Sequence, residues 1–233
     1  MTLRRLHVPD LPAAGDVVVA GDEAHHLVRV LRAVPGLVVA LFDGRGREVA
    51  AEVVWVAGGR ACLRIRAERT PRRPGRDVLL CTAIPRGQRM EWLVEKCTEV
   101  GVGRVLPILT ARGVRDRVSP NVLRRWQRAA VEAAKQCGRG DVPAVAAPCT
   151  LENALSACAE RTLLLADPAA DAPLAASLPE DGGVAFVIGP EGGFDAAETA
   201  TLRVAGARPF CLGPLVLRVE TAAVVAVHTA ARG

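Results

Sequence analysis

The sequence predicts an α/β chain in two parts, a small β-rich domain over residues 1–70 and a larger parallel-sheet domain over residues 77–233. Three observations carry that expectation. The apolar pattern changes partway along the chain, from alternating and short β-type runs to buried apolar runs separated by helical stripes. At the change lies ERTPRRPGRD (68–77), whose two prolines, glycine and dense charge suit neither helix nor strand. Finally, 233 residues, half of them apolar, suffice for two modest cores and exclude extensive disorder.

In the first part, residues 16–21 (DVVVAG) and 37–42 (LVVALF) read as strands. Asp43-Gly44 reads as a hairpin turn, with residues 49–56 as the return strand. Residues 61–66 (ACLRIR) alternate as a half-buried strand does. Within 23–32, Leu27, Val30 and Leu31 recur at helical spacing and predict one short helix. Several short strands in so short a stretch suggest a small barrel, a binding module more than a catalyst.

The second part has a strand–helix rhythm. Residues 78–84, 105–109, 162–166, 184–188 and 209–212 are short apolar runs of the kind that helices cover on both faces of a parallel sheet. Met90, Leu93, Val94 and Cys97 form one helical stripe; Leu123, Trp126, Ala130 and Cys137 form another, with Arg124, Arg125, Arg128 and Lys135 off its apolar side. Trp55, Trp92 and Trp126 all fall in patterned elements and are expected in cores.

Charge is unevenly placed. Residues 1–76 hold 13 basic and 8 acidic groups, and residues 86–139 hold 12 and 5, whereas residues 140–233 hold 5 and 11. Two basic blocks ahead of an acidic segment point to a polyanionic partner. The seven cysteines form no CxxC pair and the histidines no cluster, so reduced core thiols and no metal site are expected. No apolar run approaches the ~20 residues of a membrane span, and residues 1–10 carry arginines without an apolar signal core. A cytoplasmic protein with no membrane partner is the expectation.

Ligands of parallel sheets bind beyond the carboxyl ends of strands. Three segments meet that description: LLLAD (163–167), FVIGPEGGF (186–194) and LGPLVLRVET (212–221). The glycines of the second let backbone approach a ligand closely, and Asp195 with Glu198 makes a capping-box signal for a following helix. Glycines alone would fit an ordinary strand-to-helix turn. The turn is neither a P-loop nor a dinucleotide fingerprint, which favours a nucleoside-like ligand without a triphosphate.

IGPEGGF followed by LGPLVLRVETA resembles the signature of the RsmE family of SPOUT methyltransferases, which methylate N3 of a uridine in 16S rRNA. The likeness continues through HHLVRVLR (25–32), FDGRG (42–46), RMEWLVEKCTEVGV (89–102) and RWQRAAVEAAKQCGR (125–139), nearly the full length in the same order. The chain departs from the family pattern at Leu215, Val219 and Ala111-Arg112. The resemblance implies a PUA-like RNA-binding β-barrel ahead of a SPOUT domain with a trefoil knot, and a homodimer. It implies S-adenosylmethionine held by Leu165, Ala166, Ile188, Gly189, Pro190, Glu191, Gly192, Gly193, Leu212, Gly213, Leu217 and Thr221.

Methylation at N3 requires loss of an imide proton from an unpaired base. Arg218 is the first candidate to stabilise the developing anion, and Arg139 the second. Glu191 or Glu220 either takes the proton or holds loop structure. Arg4, Arg5, Arg29, Arg32, Arg112, Arg124, Arg128 and Arg139 form the expected contact set for 16S rRNA in the small ribosomal subunit. Two rivals stand beside this reading: a non-catalytic RNA-binding or assembly factor, and a SPOUT enzyme acting on another RNA position.

Overall fold

The structure, a computed structural model, describes residues 3–113 and 118–232. The chain divides into two compact units, one comprising the chain up to Arg73 together with Ala134–Val142, the other Pro74–Ala133 together with the chain from Pro143 onward.

The first unit contains β1 (Arg5–His7), β2 (Asp16–Val19), α1 (Gly21–His25), a π-helical turn (His26–Val30), β3 (Val38–Phe42), β4 (Glu48–Ala57) and β5 (Arg60–Arg69). They form one five-stranded sheet in the order β1-β3-β4-β5-β2, antiparallel except for β1 on β3. Alternation does the sorting: Val17 and Val19 are buried while Val18 between them is exposed. Leu6, Leu27, Val39, Leu41, Val53 and Leu63 fill the core on one face.

Three local expectations need correction. The β3–β4 turn is not a two-residue hairpin. The Asp43 N–H donates to the Arg47 carbonyl, and the Asp43 carboxylate accepts from the N–H groups of Arg45 and Arg47, with Gly44 and Gly46 at positive φ. Strand β5 runs on through Arg69, into the segment expected as a linker, because Arg64, Arg66 and Arg69 pair with Asp16, Glu52 and Glu48. The helix expected over 23–32 is α1 plus the π turn, closed by Leu31 N–H on the His26 carbonyl and ended by Arg32 at φ 49°.

The second unit contains β6 (Val78–Ala83), α2 (Arg89–Glu99), β7 (Arg104–Leu109), α3 (Pro120–Cys137, whose last residues belong to the first unit), β8 (Ala144–Val145), β9 (Cys149–Thr150), α4 (Leu151–Ser156), β10 (Thr162–Ala166), α5 (Leu174–Ser177), β11 (Val184–Ile188), α6 (Ala196–Val204), β12 (Arg208–Phe210) and α7 (Val219–Ala231). Every ladder of its sheet is parallel, in the order β12-β10-β11-β6-β7-β8, with β9 also on β7. β6 and β11 are buried at every residue, which is why they read as unbroken apolar runs. Helix α7 packs against α2, β6 and β11.

The stripe Met90, Leu93, Val94, Cys97 is buried throughout, and burial pushes the Cys97 thiol up, away from reactivity. All seven cysteines are free thiols; Cys81 and Cys158 lie with their sulfurs 3.6 Å apart inside the core. Among the tryptophans only Trp126 is buried. Trp55 and Trp92, expected in cores, face solvent because each sits on the polar side of its element. Among the described residues no helix is long and apolar enough to cross a membrane.

Arg5 is not the surface cation the sequence reading expected. Its side chain is 7 % exposed and forms an ion pair with Glu48 at 2.7 Å. It also donates to the carbonyls of Ala134 and Arg139 and lies 4.2 Å over the Phe42 ring. It thereby caps the carboxyl end of α3, where unpaired carbonyls favour a cation. Arg139 is likewise buried and pairs with Asp141, which removes it from the contact set and from the role of second cation at the base. Breaking a buried ion pair from one side strands the other charge. Glu48→Ala should therefore lower the free energy of unfolding by about 3–5 kcal/mol, measured by urea titration; a loss under about 1 kcal/mol would reduce the pair to a surface-like contribution.

Candidate active site

Strand β10 hydrogen-bonds to β11 on one side and β12 on the other, all parallel. The register sets Leu165 beside Val187 and Ala166 beside Phe210, so the three carboxyl ends finish level. With strands about 4.8 Å apart, the outer two ends stand roughly 10 Å from each other, a span suited to a nucleoside. Further bonds tie the first and third segments together: Asp167 N–H donates to the Phe210 carbonyl, Leu174 N–H to that of Cys211, and Cys211 N–H to that of Ala172. Leu165, Ala166, Leu212 and Gly213 are thus brought to one end of the sheet.

The middle segment turns where its glycines allow. A Cβ on Gly189 would meet the Phe194 ring at 2.8 Å. Gly193 adopts φ 70° and its N–H donates to the Pro190 carbonyl at 2.8 Å; nothing lies within 4 Å of its Cβ position. Pro190 and Ile188 are buried, whereas Glu191 and Gly192 are exposed. The expected capping box is present: Asp195 accepts from Glu198 N–H, and Glu198 accepts from Asp195 N–H. The other Glu198 oxygen takes Ala111 N–H at 2.7 Å, and the Arg112 guanidinium donates to the Gly192 carbonyl at 2.9 Å. So the segment after β7 braces the glycine turn, a role for Glu198 and Arg112 that capping statistics do not reveal.

The third segment leaves Leu217 half-buried and Arg218 exposed before α7 begins. Glu220, in the first turn of α7, is buried, and its Oε1 lies 3.6 Å from the Arg89 guanidinium. Its Oε2 has no hydrogen-bond partner. Thr221 and Glu220 line a cleft of about 500 Å³ with Gln88, Arg89 and Trp92 of the α2 start. Sequence reasoning did not select those last three. Gln88, Arg89 and Trp92 stand off the apolar stripe and more than a hundred residues before Glu220, so no local pattern joins them. Arg4, Arg29, Arg32, Arg112, Arg124 and Arg128 are exposed, and Arg124 donates to the Asn121 side chain.

A parallel sheet with three level strand-end loops, one of them a bare glycine turn, is the architecture of an RNA methyltransferase domain, and that family model matches residues 72–231. A second, described as an RNA methyltransferase PUA domain, matches residues 19–65. The chain is 35 % identical to ribosomal RNA small subunit methyltransferase E of Mycobacterium tuberculosis, over 97 % of this chain and 90 % of that protein. Against the same enzyme of Bacillus subtilis it is 29 % identical over 90 % of this chain and 87 % of that one. The crystal structure of ribosomal RNA small subunit methyltransferase E from Neisseria gonorrhoeae, bound to S-adenosyl methionine, superposes with a TM-score of 0.89 at 30 % identity, covering 97 % of this chain and 95 % of the other. The chain belongs to the ribosomal RNA small subunit methyltransferase E family.

If the capping box and brace hold the glycine turn, removing them costs stability in order. Asp195→Ala should cost about 1 kcal/mol. Glu198→Ala, which deletes bonds to both Asp195 and Ala111 N–H, should cost about 2 kcal/mol. Chemical denaturation checks both; equal and negligible losses would remove the brace.

Proposed function

We propose that this methyltransferase transfers the methyl group of S-adenosylmethionine to N3 of a uridine in the decoding-region helix of 16S rRNA, within the small ribosomal subunit in the cytoplasm. The observation that supports the reading is the level ending of β10, β11 and β12, which brings three loops to one end of the sheet. The loops fit the cofactor. Gly193 and Gly213 have positive φ and no atom within 4 Å of their Cβ positions, leaving backbone groups open to an adenosine and its methionine tail. No P-loop lysine is there to favour a phosphate instead. The residues that would hold it are Leu165, Ala166, Ile188, Gly189, Pro190, Glu191, Gly192, Gly193, Leu212, Gly213, Leu217 and Thr221. The cofactor, when bound, supplies an electrophilic methyl group. This chain's part is to hold the base in line and to stabilise charge as the N3 proton leaves. Arg218, exposed at the mouth of the third loop, is placed to offset negative charge on the base carbonyls.

Residues 1–70 are proposed as the PUA-like RNA-binding domain and residues 77–233 as the knotted SPOUT domain. Support for the knot is the chain path: β12 lies at the sheet edge, yet α7, which follows it, packs on β6 and β11 in the middle. A homodimer is supported by apolar side chains left exposed around the third loop and α7, namely Leu215 at 75 %, Val216 at 81 % and Val225 at 38 %.

The test is reverse transcription of small subunits lacking the mark after incubation with the protein and cofactor. A new stop in the decoding-region helix is expected, because N3-methyluridine cannot pair; no stop there overturns the substrate. Binding should also be salt-dependent. Neutralising phosphates with six arginines (4, 29, 32, 112, 124 and 128) predicts a loss of about a thousandfold in affinity between 50 and 200 mM salt, read by filter binding. Arg32 offers a sharper check, since its backbone is left-handed. Arg32→Gly should raise stability by about 1 kcal/mol while weakening RNA binding, two effects of opposite sign.

A further inference from the structure

Of the residues lining the cleft at the start of α2 and α7, all but Thr221 stand outside the proposed cofactor set. Its lining is one amide (Gln88), one guanidinium (Arg89), one indole (Trp92), one carboxylate (Glu220) and one hydroxyl (Thr221). The carboxylate is the unusual member. Glu220 is only 7 % exposed, its Oε1 is 3.6 Å from Arg89, and its Oε2 is buried with no hydrogen-bond partner. A buried carboxylate oxygen is a strong acceptor, and leaving it unpaired is costly. The Glu220 side chain lines the cleft, so its carboxylate is the acceptor the cleft presents to a ligand. Trp92, 45 % exposed on the opposite element, presents a flat apolar surface in the same space. A volume of about 500 Å³ lies within the range of small-ligand sites.

We infer that this cleft is the seat of the target base, with Trp92 as its stacking platform, Arg89 and Gln88 as donors to its carbonyls, and the Glu220 carboxylate as acceptor of the N3 proton. The inference rests on the uridine reading above and assigns residues that reading left open. The edge of uracil runs acceptor, donor, acceptor, from O2 through N3–H to O4. The cleft carries groups of the complementary kind, two donors and one carboxylate. Cytosine has a lone pair at N3, which that carboxylate would repel, so the arrangement selects uracil among the pyrimidines. Position follows from the chain, because Glu220 and Thr221 continue directly from the loop 212–218 expected to wrap the methyl donor. In the reaction the N3–H bond breaks and its proton passes to the Glu220 carboxylate. The N3 electron pair forms the new N–CH3 bond, while the S–CH3 bond breaks and its electrons remain on sulfur as a neutral thioether. The charge of the pair Arg89–Glu220 changes from balanced to net positive beside a base that has lost its negative charge.

The experiment compares wild type, Glu220→Gln, Arg89→Lys and Trp92→Ala, each with three readouts: cofactor affinity by calorimetry, oligomeric state by sedimentation, and methyl transfer to unmarked small subunits under varied subunit concentration. Glu220→Gln keeps the shape and should lower kcat by about a hundredfold or more, as expected for loss of a proton acceptor, with cofactor affinity within about twofold. Trp92→Ala should act chiefly on KM, by about tenfold, the usual worth of one stacked base. A 4-thiouridine at the target position should cross-link to the peptide carrying Trp92. If wild type transfers no methyl group to the subunit, the substrate reading itself fails. If wild type is active and Glu220→Gln and Trp92→Ala retain its kcat and KM, the cleft is not the base site. If either variant loses activity only by dissociating a dimer, the cleft belongs to a contact between copies and the assignment is overturned.

Discussion

The structure depends on β10 being hydrogen-bonded on both sides by parallel neighbours that come later in the chain. Parallel pairing forbids short connections, so each crossing between these strands must detour through a helix. The detours put all three loops at the same end of the sheet, and the register puts them at the same height. A shift of one residue in β12 would turn Phe210 out of the core and carry the third loop away from the other two. The apolar contacts of Leu164, Phe186 and Phe210, whose two rings meet edge-on at 5.6 Å, therefore hold the geometry of the site as well as the stability of the domain.

Around that frame the site is assembled by braces from outside the three loops. Glu198 joins the start of α6 to the segment after β7, and Arg112 closes on the glycine turn from the same side. Arg89 meets Glu220 across α2 and α7. Each brace is a charged side chain acting on backbone or on another charge; the Glu198 contacts are partly sheltered from water, whereas Arg112 acts from the exposed side.

What the amino-acid sequence disclosed, and what it withheld, follows from the range of the interactions. Strands at 162–166 and 184–188 and the box of Asp195 and Glu198 were legible because their causes are local: continuous burial in one case, a three-residue hydrogen-bond loop in the other. The resemblance to a known family supplied the enzyme class from motifs spread along the chain. Strand β1 was missed since Arg5 looks like a surface residue until Glu48, Phe42 and the end of α3 are brought to it. Trp92 was misassigned because a tryptophan on an amphipathic helix is indistinguishable by spacing from its buried neighbours one position off. The cleft was beyond reach for the same reason, as Gln88 and Arg89 acquire meaning only beside Glu220.

The first unit includes Ala134–Val142, a piece of chain made long after its sheet. Gly46 and Arg72 bond to Gly140, Val142 bonds to Gly44, and Arg5 reaches past them to the carbonyl of Arg139. During synthesis the five strands emerge first, and their Arg5–Glu48 charge pair must wait for acceptors still inside the translating ribosome. The first unit is therefore completed only after the stretch Pro74–Ala133 of the second has been translated, which ties the maturation of one unit to the making of the other.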